Sequence, residues 1–461
     1  MEIISYFGIG TLALVVYIAT VISVNTFLKR SIAEAMLAAM FVLLVIAGLT
    51  GFNPLQLAVK GIIMALRQEA LFAAMAFVFM AYMMEETKIV SRLVLILNSL
   101  LGRLAGGAGY VATLASALFG MVSGSGTGNA STVGSITIPW MEETGWSKES
   151  ATTVVAGNAG LGMVFPPSSS MFLLLGMPVV AAELNSSQLY VTLMGVALVV
   201  LVYRLLLVFI QVRRQGIKPV NSEHHQKFGQ ALRENWISLS LFLGILLPIL
   251  LTMGPVSGWL AMQPGIGKDG ISKISLLVWI PILTTIVVVI TGWKQLPHTG
   301  KEWFHFAEHA IGKYREIGMM CICAFAASYI FIVMGLEKEV AAAFSAMGNK
   351  SSFLVIVCVA LLISMMVGPF SGTATTTALG SVGYLALRSI GLSPAVSCAV
   401  FLLLVSNEGC IPPNSGPIFI ASGIADLDKP SKIFKPLIFQ YAIPTVLIAI
   451  LIAVGVIPTL G

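Results

Sequence analysis

Apolar stretches long enough to cross a bilayer recur from Ile3 to Pro458, and the charged residues gather in the short gaps between them. About 20 apolar residues match the hydrocarbon thickness. At that depth every backbone N–H and C=O must be bonded within the protein, which makes the helix the expected spanning form. Only 10% of the residues are charged and 57% are hydrophobic, against a charged share of roughly 25% in water-soluble chains. The sequence therefore predicts an all-α polytopic membrane protein with no soluble module. Cys321, Cys323, Cys358, Cys398 and Cys410 stand in apolar surroundings, so neither a disulfide nor a metal cluster is expected.

Charge sets the expected topology. The net charge is +6, and its largest cluster is Arg204, Arg213, Arg214, Lys218, Lys227 and Arg233. That cluster reads as a cytoplasmic loop under the positive-inside rule. Lys29-Arg30 and a segment bearing Arg92 and Arg103 fall on the same side. The first expected spans are 3–27, 32–49 and 71–84, with 52–66 along an interface. In the second half an amphipathic cytoplasmic segment is expected over 296–313, followed by a separate span over 317–336. His305 and His309 lie on that segment and read as a solvated face.

Two stretches break the pattern. Residues 105–143 form two apolar arms joined by Ser123-Gly124-Ser125-Gly126-Thr127-Gly128-Asn129, and 353–390 form two arms joined by Ser371-Gly372-Thr373-Ala374-Thr375-Thr376-Thr377. Each arm is short for a crossing and neither linker carries a charge. Each is read as a re-entrant hairpin whose tip is buried in protein. Each is followed by a helix that breaks at a proline pair, Pro166-Pro167 and Pro412-Pro413. Gly134-Ser135 recurs as Gly380-Ser381, and the proline pairs recur at the same offset of 246 positions. The tips Ser123-Gly124-Ser125 and Ser371-Gly372-Thr373 match at 248, a gap of two.

Counting spans from the basic loop opens one hairpin on each side of the membrane. The chain thus divides into a first inverted repeat over 1–213, a cytoplasmic linker over 214–233 and a second inverted repeat over 234–461. Both termini are expected to be periplasmic. Inverted repeats with discontinuous helices are a recurrent plan of secondary transporters, with the site at the repeat interface.

The tips can bind ions and anions. Helix starts present unpaired N–H groups and a positive dipole end, which suits a carboxylate. Helix ends and unwound turns present carbonyl oxygens, joined here by Ser and Thr hydroxyls, which suit a small hard cation. The candidate substrate contacts are the amides Asn129, Asn158, Asn407 and Asn414 and the hydroxyls Ser168 and Thr376. The same residue types also let helices pack closely in lipid. Glu408 is the one carboxylate close to a break, but its repeat counterpart is Gly162, so symmetry lends it no support. No ATP-binding loop or His-Glu-x-x-His is present and no Ser/His/Asp set converges near either tip, so neither a primary pump nor an enzyme is expected.

The residues Ser123-Gly124-Ser125, Asn129-Ala130, Gly134-Ser135, Ile138-Pro139-x-Met141, Gly145-Trp146 and Leu161-Gly162-x4-Pro167-Ser168 resemble the large permease subunit of tripartite ATP-independent periplasmic (TRAP) transporters. The run Cys410-Ile411-Pro412-Pro413-Asn414-Ser415-Gly416-Pro417-Ile418-Phe419 is similar to that family's second proline-pair segment. The resemblance implies an elevator-type, sodium-coupled importer of small organic anions such as carboxylates, in a bacterial inner membrane. It implies Na+ as the coupling ion, held at Ser123, Gly124 and Ser125 with the break near Gly162. A second Na+ would sit at Ser371, Gly372 and Thr373 with the break near Gly409. The partners it implies are a small four-helix membrane subunit and a periplasmic substrate-binding protein. A stand-alone anion permease without a binding protein, and more remotely an ion channel, remain the alternatives.

Overall fold

The computed structural model describes residues 8–219, 228–263, 265, 267–336, 338–339, 342, 352–412 and 415–460. Among them all regular structure is helical. The first half runs α1 (Ile9–Thr26), α2 (Ile32–Leu49), α3 (Pro54–Arg67), α4 (Glu69–Glu86), α5 (Ile89–Leu101), α6 (Gly107–Ser123), α7 (Gly126–Glu143), α8 (Lys148–Asn158), α9 (Ser169–Leu175), α10 (Pro178–Ala181) and α11 (Ser186–Gln215). The second runs α12 (Phe228–Asn235), α13 (Leu241–Thr252), α14 (Gly254–Ala261), α15 (Gly267–Ser272), α16 (Leu276–Gly292), α17 (Gly300–Val333), α18 (Ser352–Phe370), α19 (Gly372–Ser389), α20 (Pro394–Val405), α21 (Gly416–Ile424), α22 (Phe434–Leu437) and α23 (Ile443–Ala453). Seven helices among the described residues are long and apolar enough to span a membrane, or eight if α3 and α4, bent by 53°, count as one.

Local chemistry starts these helices where the sequence marks them. Ser31 accepts the Glu34 N–H and Asn53 accepts the Gln56 N–H, which caps α2 and α3. Ser147 and Ser393 cap α8 and α20 through the N–H groups of Ser150 and Val396. These two caps stand 246 positions apart, and so do both ends of α7 and α19.

The two halves pack reciprocally. Helix α2 lies on α17 while α16 lies on α4. Helix α7 packs on α21, beyond the second break, and α19 packs on α9, beyond the first. The turns of the two breaks touch each other. Each hairpin is thus completed by the broken helix of the other half, as a two-fold relation between the halves requires.

Three expectations are corrected. The segment 296–313 and the span 317–336 are largely one 34-residue helix, α17. No proline interrupts 300–333, and a Thr299–Glu302 capping box starts the helix. The first break begins at Ala159, well before Pro166. Gly160 and Gly162 lie there against backbone, and a Cβ on Gly162 would stand 2.0 Å from the Gly120 carbonyl carbon, which no side chain allows. Arg204, counted with the basic loop, is 1% exposed on α11. Its guanidinium lies 4.4 Å from the centre of the Tyr441 ring and donates to Thr445 Oγ1 at 2.9 Å. The aromatic face and the hydroxyl hold the charge inside the helical body.

Candidate functional site

The hairpin tips are made of helix ends. Helix α6 stops at Ser123, and Gly124 closes it with φ 61°, its N–H on the Gly120 carbonyl at 3.0 Å. That left-handed turn suits glycine. Ser125 then caps α7, accepting the Gly128 N–H at 3.1 Å. In the second tip Ser371 does the same for α19 through the Ala374 N–H at 3.5 Å, at φ 66°. Ser125 and Ser371 are 246 positions apart. The equivalent tips are therefore Ser125-Gly126-Thr127 and Ser371-Gly372-Thr373, with no gap, and the offset of 248 is corrected.

The tips meet. Thr373 Oγ1 donates to the Gly124 carbonyl at 2.9 Å. Ser123, Gly124, Ser125, Ser371 and Thr373 line one cavity of about 190 Å³. An adjoining cavity of about 330 Å³ shares Ser123 and Ser125 with it and continues to Glu85 and Thr132. Gly372, Gly162 and Gly409 are not among the residues that line the first cavity. A Cβ on Gly409 would lie 1.8 Å from the Ala156 carbonyl oxygen, so both break glycines serve close backbone approach.

The candidate substrate contacts are placed differently. Asn129 donates to the carbonyls of Ser116 and Ala159 at 2.9 and 2.7 Å, and so bridges α6 to the first break. Asn158 donates to Thr113 Oγ1 and the Val154 carbonyl. Ser168 caps α9 through the Met171 N–H and donates to the Met163 carbonyl. Thr376 Oγ1 donates back to the Gly372 carbonyl at 2.8 Å. None of these four lines the cavity. Asn407 is fully buried in the second break, and neither of its amide atoms has a protein partner. Asn414 lies outside the described residues.

Glu408 is the largest difference from expectation. It is 1% exposed and lines the cavity. Its carboxylate accepts the Gly372 N–H at 2.9 Å and lies against Gly126. One acidic side chain from the second break therefore bonds the start of α19 and sits beside the start of α7. The carboxylate that the two helix starts face is the chain's own. Side chains on Gly126 or Gly372 would displace it, since a Cβ on Gly126 would stand 2.7 Å from Glu408 Cδ. Thr127, Ser169 and Glu316 also line the cavity. A gap-free alignment of the two Ser-Gly-Thr triplets is the signal that finds Gly126 and Thr127. For Glu408 the signal is an acid in the one repeat position where the other half has a glycine packed against backbone.

The oxygens around the tips are hydroxyls, carbonyls and the Glu408 carboxylate, a donor set that fits a hard monovalent cation. Among the described residues no cluster of three His, Cys, Asp or Glu side chains is arranged for a transition metal.

The fold and sequence both have relatives. The chain is similar in fold to the YdaH transporter of Alcanivorax borkumensis, with a TM-score of 0.58 at 16% identity over 84% of this chain and 85% of that one. It is also similar to MtrF of Neisseria gonorrhoeae, with a TM-score of 0.59 at 13% identity over 88% and 84%. A putative TRAP transporter large permease of Haemophilus influenzae is 21% identical over 87% of this chain and 94% of its own. The C4-dicarboxylate TRAP large permease DctM of Pseudomonas aeruginosa is 30% identical over 25% and 27%. The isethionate TRAP permease DctMQ of Oleidesulfovibrio alaskensis is 35% identical over 17% and 12%. The strongest local matches span about a quarter or less of those relatives' length. The family model described as the DctM component of the tripartite ATP-independent periplasmic transporter matches residues 12–460, and the chain belongs to that family as a large permease.

Proposed function

We propose that this permease is a sodium-coupled secondary importer of small organic anions that works by an elevator motion of its hairpin-bearing core. The observation that carries the reading is the meeting of two tips, one from each half, at a cavity lined by hydroxyls within an apolar helical body. Repeat interfaces of this kind are where secondary transporters bind their cargo. Sodium would be held by hydroxyl and carbonyl oxygens at Ser123, Gly124 and Ser125 in one tip and at Ser371, Gly372 and Thr373 in the other. The unpartnered amide of Asn407 supports a ligand beside the second break. The adjoining cavity leads past Glu85, toward the end of α4 that precedes Lys88 and Arg92. By the positive-inside rule that side is cytoplasmic, which supports taking this state as inward-facing.

The reading extends to an inner-membrane location, periplasmic termini, a small four-helix membrane subunit and a periplasmic binding protein. The tripartite architecture named for the family supports the two partners. The relatives named for C4-dicarboxylate and isethionate support a small acidic cargo. The test is uptake of labelled organic anions into proteoliposomes under an imposed sodium or proton gradient. Uptake that follows sodium upholds the reading, and uptake indifferent to sodium overturns it.

A further inference from the structure

The anion-binding capacity of the two tips is already in use. The starts of α7 and α19 are the places where a cargo carboxylate would be expected to bind, yet Glu408 accepts from the α19 start and sits against the α7 start. The repeat-related position is Gly162, where backbone contact leaves no room for a side chain. Glu408 is therefore not required by the repeat architecture; it is an addition on one side only. The cavity it lines also carries Glu316, and the adjoining cavity carries Glu85. No Lys, Arg or His is among the described residues lining either one. The polar side chains that line the cavity at Glu408 are hydroxyls and the carboxylates of Glu316 and Glu408 itself.

We propose that Glu408 is a specificity residue that takes the place of a cargo carboxylate, so that the solute carried here bears a protonated nitrogen and is a zwitterion rather than a dicarboxylate. This rests on the sodium-coupled reading above and goes beyond it by replacing one carboxylate of the anionic cargo with an ammonium group. A second carboxylate brought to about 4 Å from Glu408 is disfavoured by roughly a thousandfold at an effective dielectric constant of about 20. A positively charged nitrogen at the same distance is favoured by as much. The two helix starts offset part of the Glu408 charge, which leaves a preference of at least about tenfold to be measured. A site built to pair with a polar group rejects the analogue that lacks it, because its own buried group is then left unpaired.

The test uses the full chain in lipid nanodiscs and two solutes with the same two-carbon spacer, succinate and β-alanine, which differ by one carboxylate replaced by an ammonium group. Titration calorimetry in sodium buffer is expected to show β-alanine bound at least about tenfold more tightly. Glu408→Gln is expected to narrow that margin to under about threefold, while Glu408→Asp keeps it; melting midpoints confirm that the variants are folded. If the Gln variant does not fold, Glu316→Gln on the exposed face of α17 decides, with the margin falling about threefold. Equal or tighter binding of succinate by the unaltered chain, binding of neither solute, or a margin unmoved in a folded Glu408→Gln protein overturns the inference. Exchanging sodium for potassium separates it from the parent reading. A β-alanine preference that ignores the cation overturns sodium coupling alone, and sodium-dependent binding that favours succinate overturns this inference alone.

Discussion

Replacing Gly162 by alanine probes the contact that holds the first break against the first tip. An alanine Cβ would lie 2.0 Å from the Gly120 carbonyl carbon and 2.1 Å from the Met121 nitrogen. Carbon atoms in contact settle at roughly 3.5–4.0 Å, so the turn must retreat from α6 by about 1.5 Å. Overpacking costs typically about 1–3 kcal/mol when side chains can yield. Here the obstacle is main chain, which places the cost at the top of that range, about 3 kcal/mol. With an unfolding entropy of roughly 2 cal/mol/K per residue, a chain of this length loses about 1 °C of melting midpoint per kcal/mol, so a drop of about 3 °C is expected. The retreat also carries Gly162 away from the last turn of α6, which ends at Ser123, and sodium-driven uptake falls with it. Gly423→Ala is the control: nothing lies within 4 Å of its Cβ, and a better helix former on α21 stabilises by up to about 1 kcal/mol. The assay is thermal unfolding of both variants in nanodiscs beside uptake in proteoliposomes. A Gly162→Ala protein as stable and as active as Gly423→Ala would refute the reasoning.

Two further outcomes follow from the same geometry. Ser371 holds φ 66° and ψ 163°, a region nearly reserved for glycine that costs an ordinary residue about 1–3 kcal/mol. Glycine forfeits only a few tenths of a kcal/mol as a cap, so Ser371→Gly should raise the melting midpoint while lowering uptake, through loss of the tip hydroxyl. Glu183, in the loop before α11, accepts from Tyr384 at 2.6 Å and pairs with Arg388 at 2.8 Å. The Tyr384 hydrogen bond, with Arg388 adding to it, holds its carboxyl below the usual carboxylate range. A folded-state value below the unfolded one means that this stabilisation is present above about pH 4.3 and is lost as pH falls through the folded value. Melting curves from pH 7 to pH 3 should show Glu183→Gln less stable at pH 7 and less sensitive to acid than the unaltered chain; equal acid sensitivity would contradict this.

Much of the architecture is legible because bilayer depth, capping residues and proline act locally. The second span was expected over 32–49 and is α2, Ile32–Leu49; a serine cap and an unbroken apolar run suffice to fix it. The hairpins over 105–143 and 353–390 are found as α6–α7 and α18–α19. What was not legible depends on through-space partners. Arg204 reads as one more basic residue until Tyr441 and Thr445, more than 200 positions away, supply a ring face and a hydroxyl. The first break looks like a consequence of Pro166 until the backbone of α6 presses on Gly162. Asn129 and Asn158 sit at the right spacing for ligands, but they reach backbone and a threonine on α6 instead. Glu408 was discounted because its repeat partner is a glycine. That asymmetry proves informative once the second tip is seen to bond its carboxylate and the first to lie against it.

The central claim is that each of the two meeting tips holds a coupling ion, and the sodium requirement of uptake tests it most directly. Ser125 and Thr373 each bring a hydroxyl to the shared cavity. Loss of one hydrogen-bonding or ligating oxygen toward a charge is worth about 1.5–3 kcal/mol, or at least about tenfold in half-saturating sodium. Proteoliposome uptake measured across a sodium titration should therefore show Ser125→Ala and Thr373→Ala each shifted to at least tenfold higher sodium, with folded, inserted protein in both. Half-saturating sodium unchanged in both variants would contradict the account.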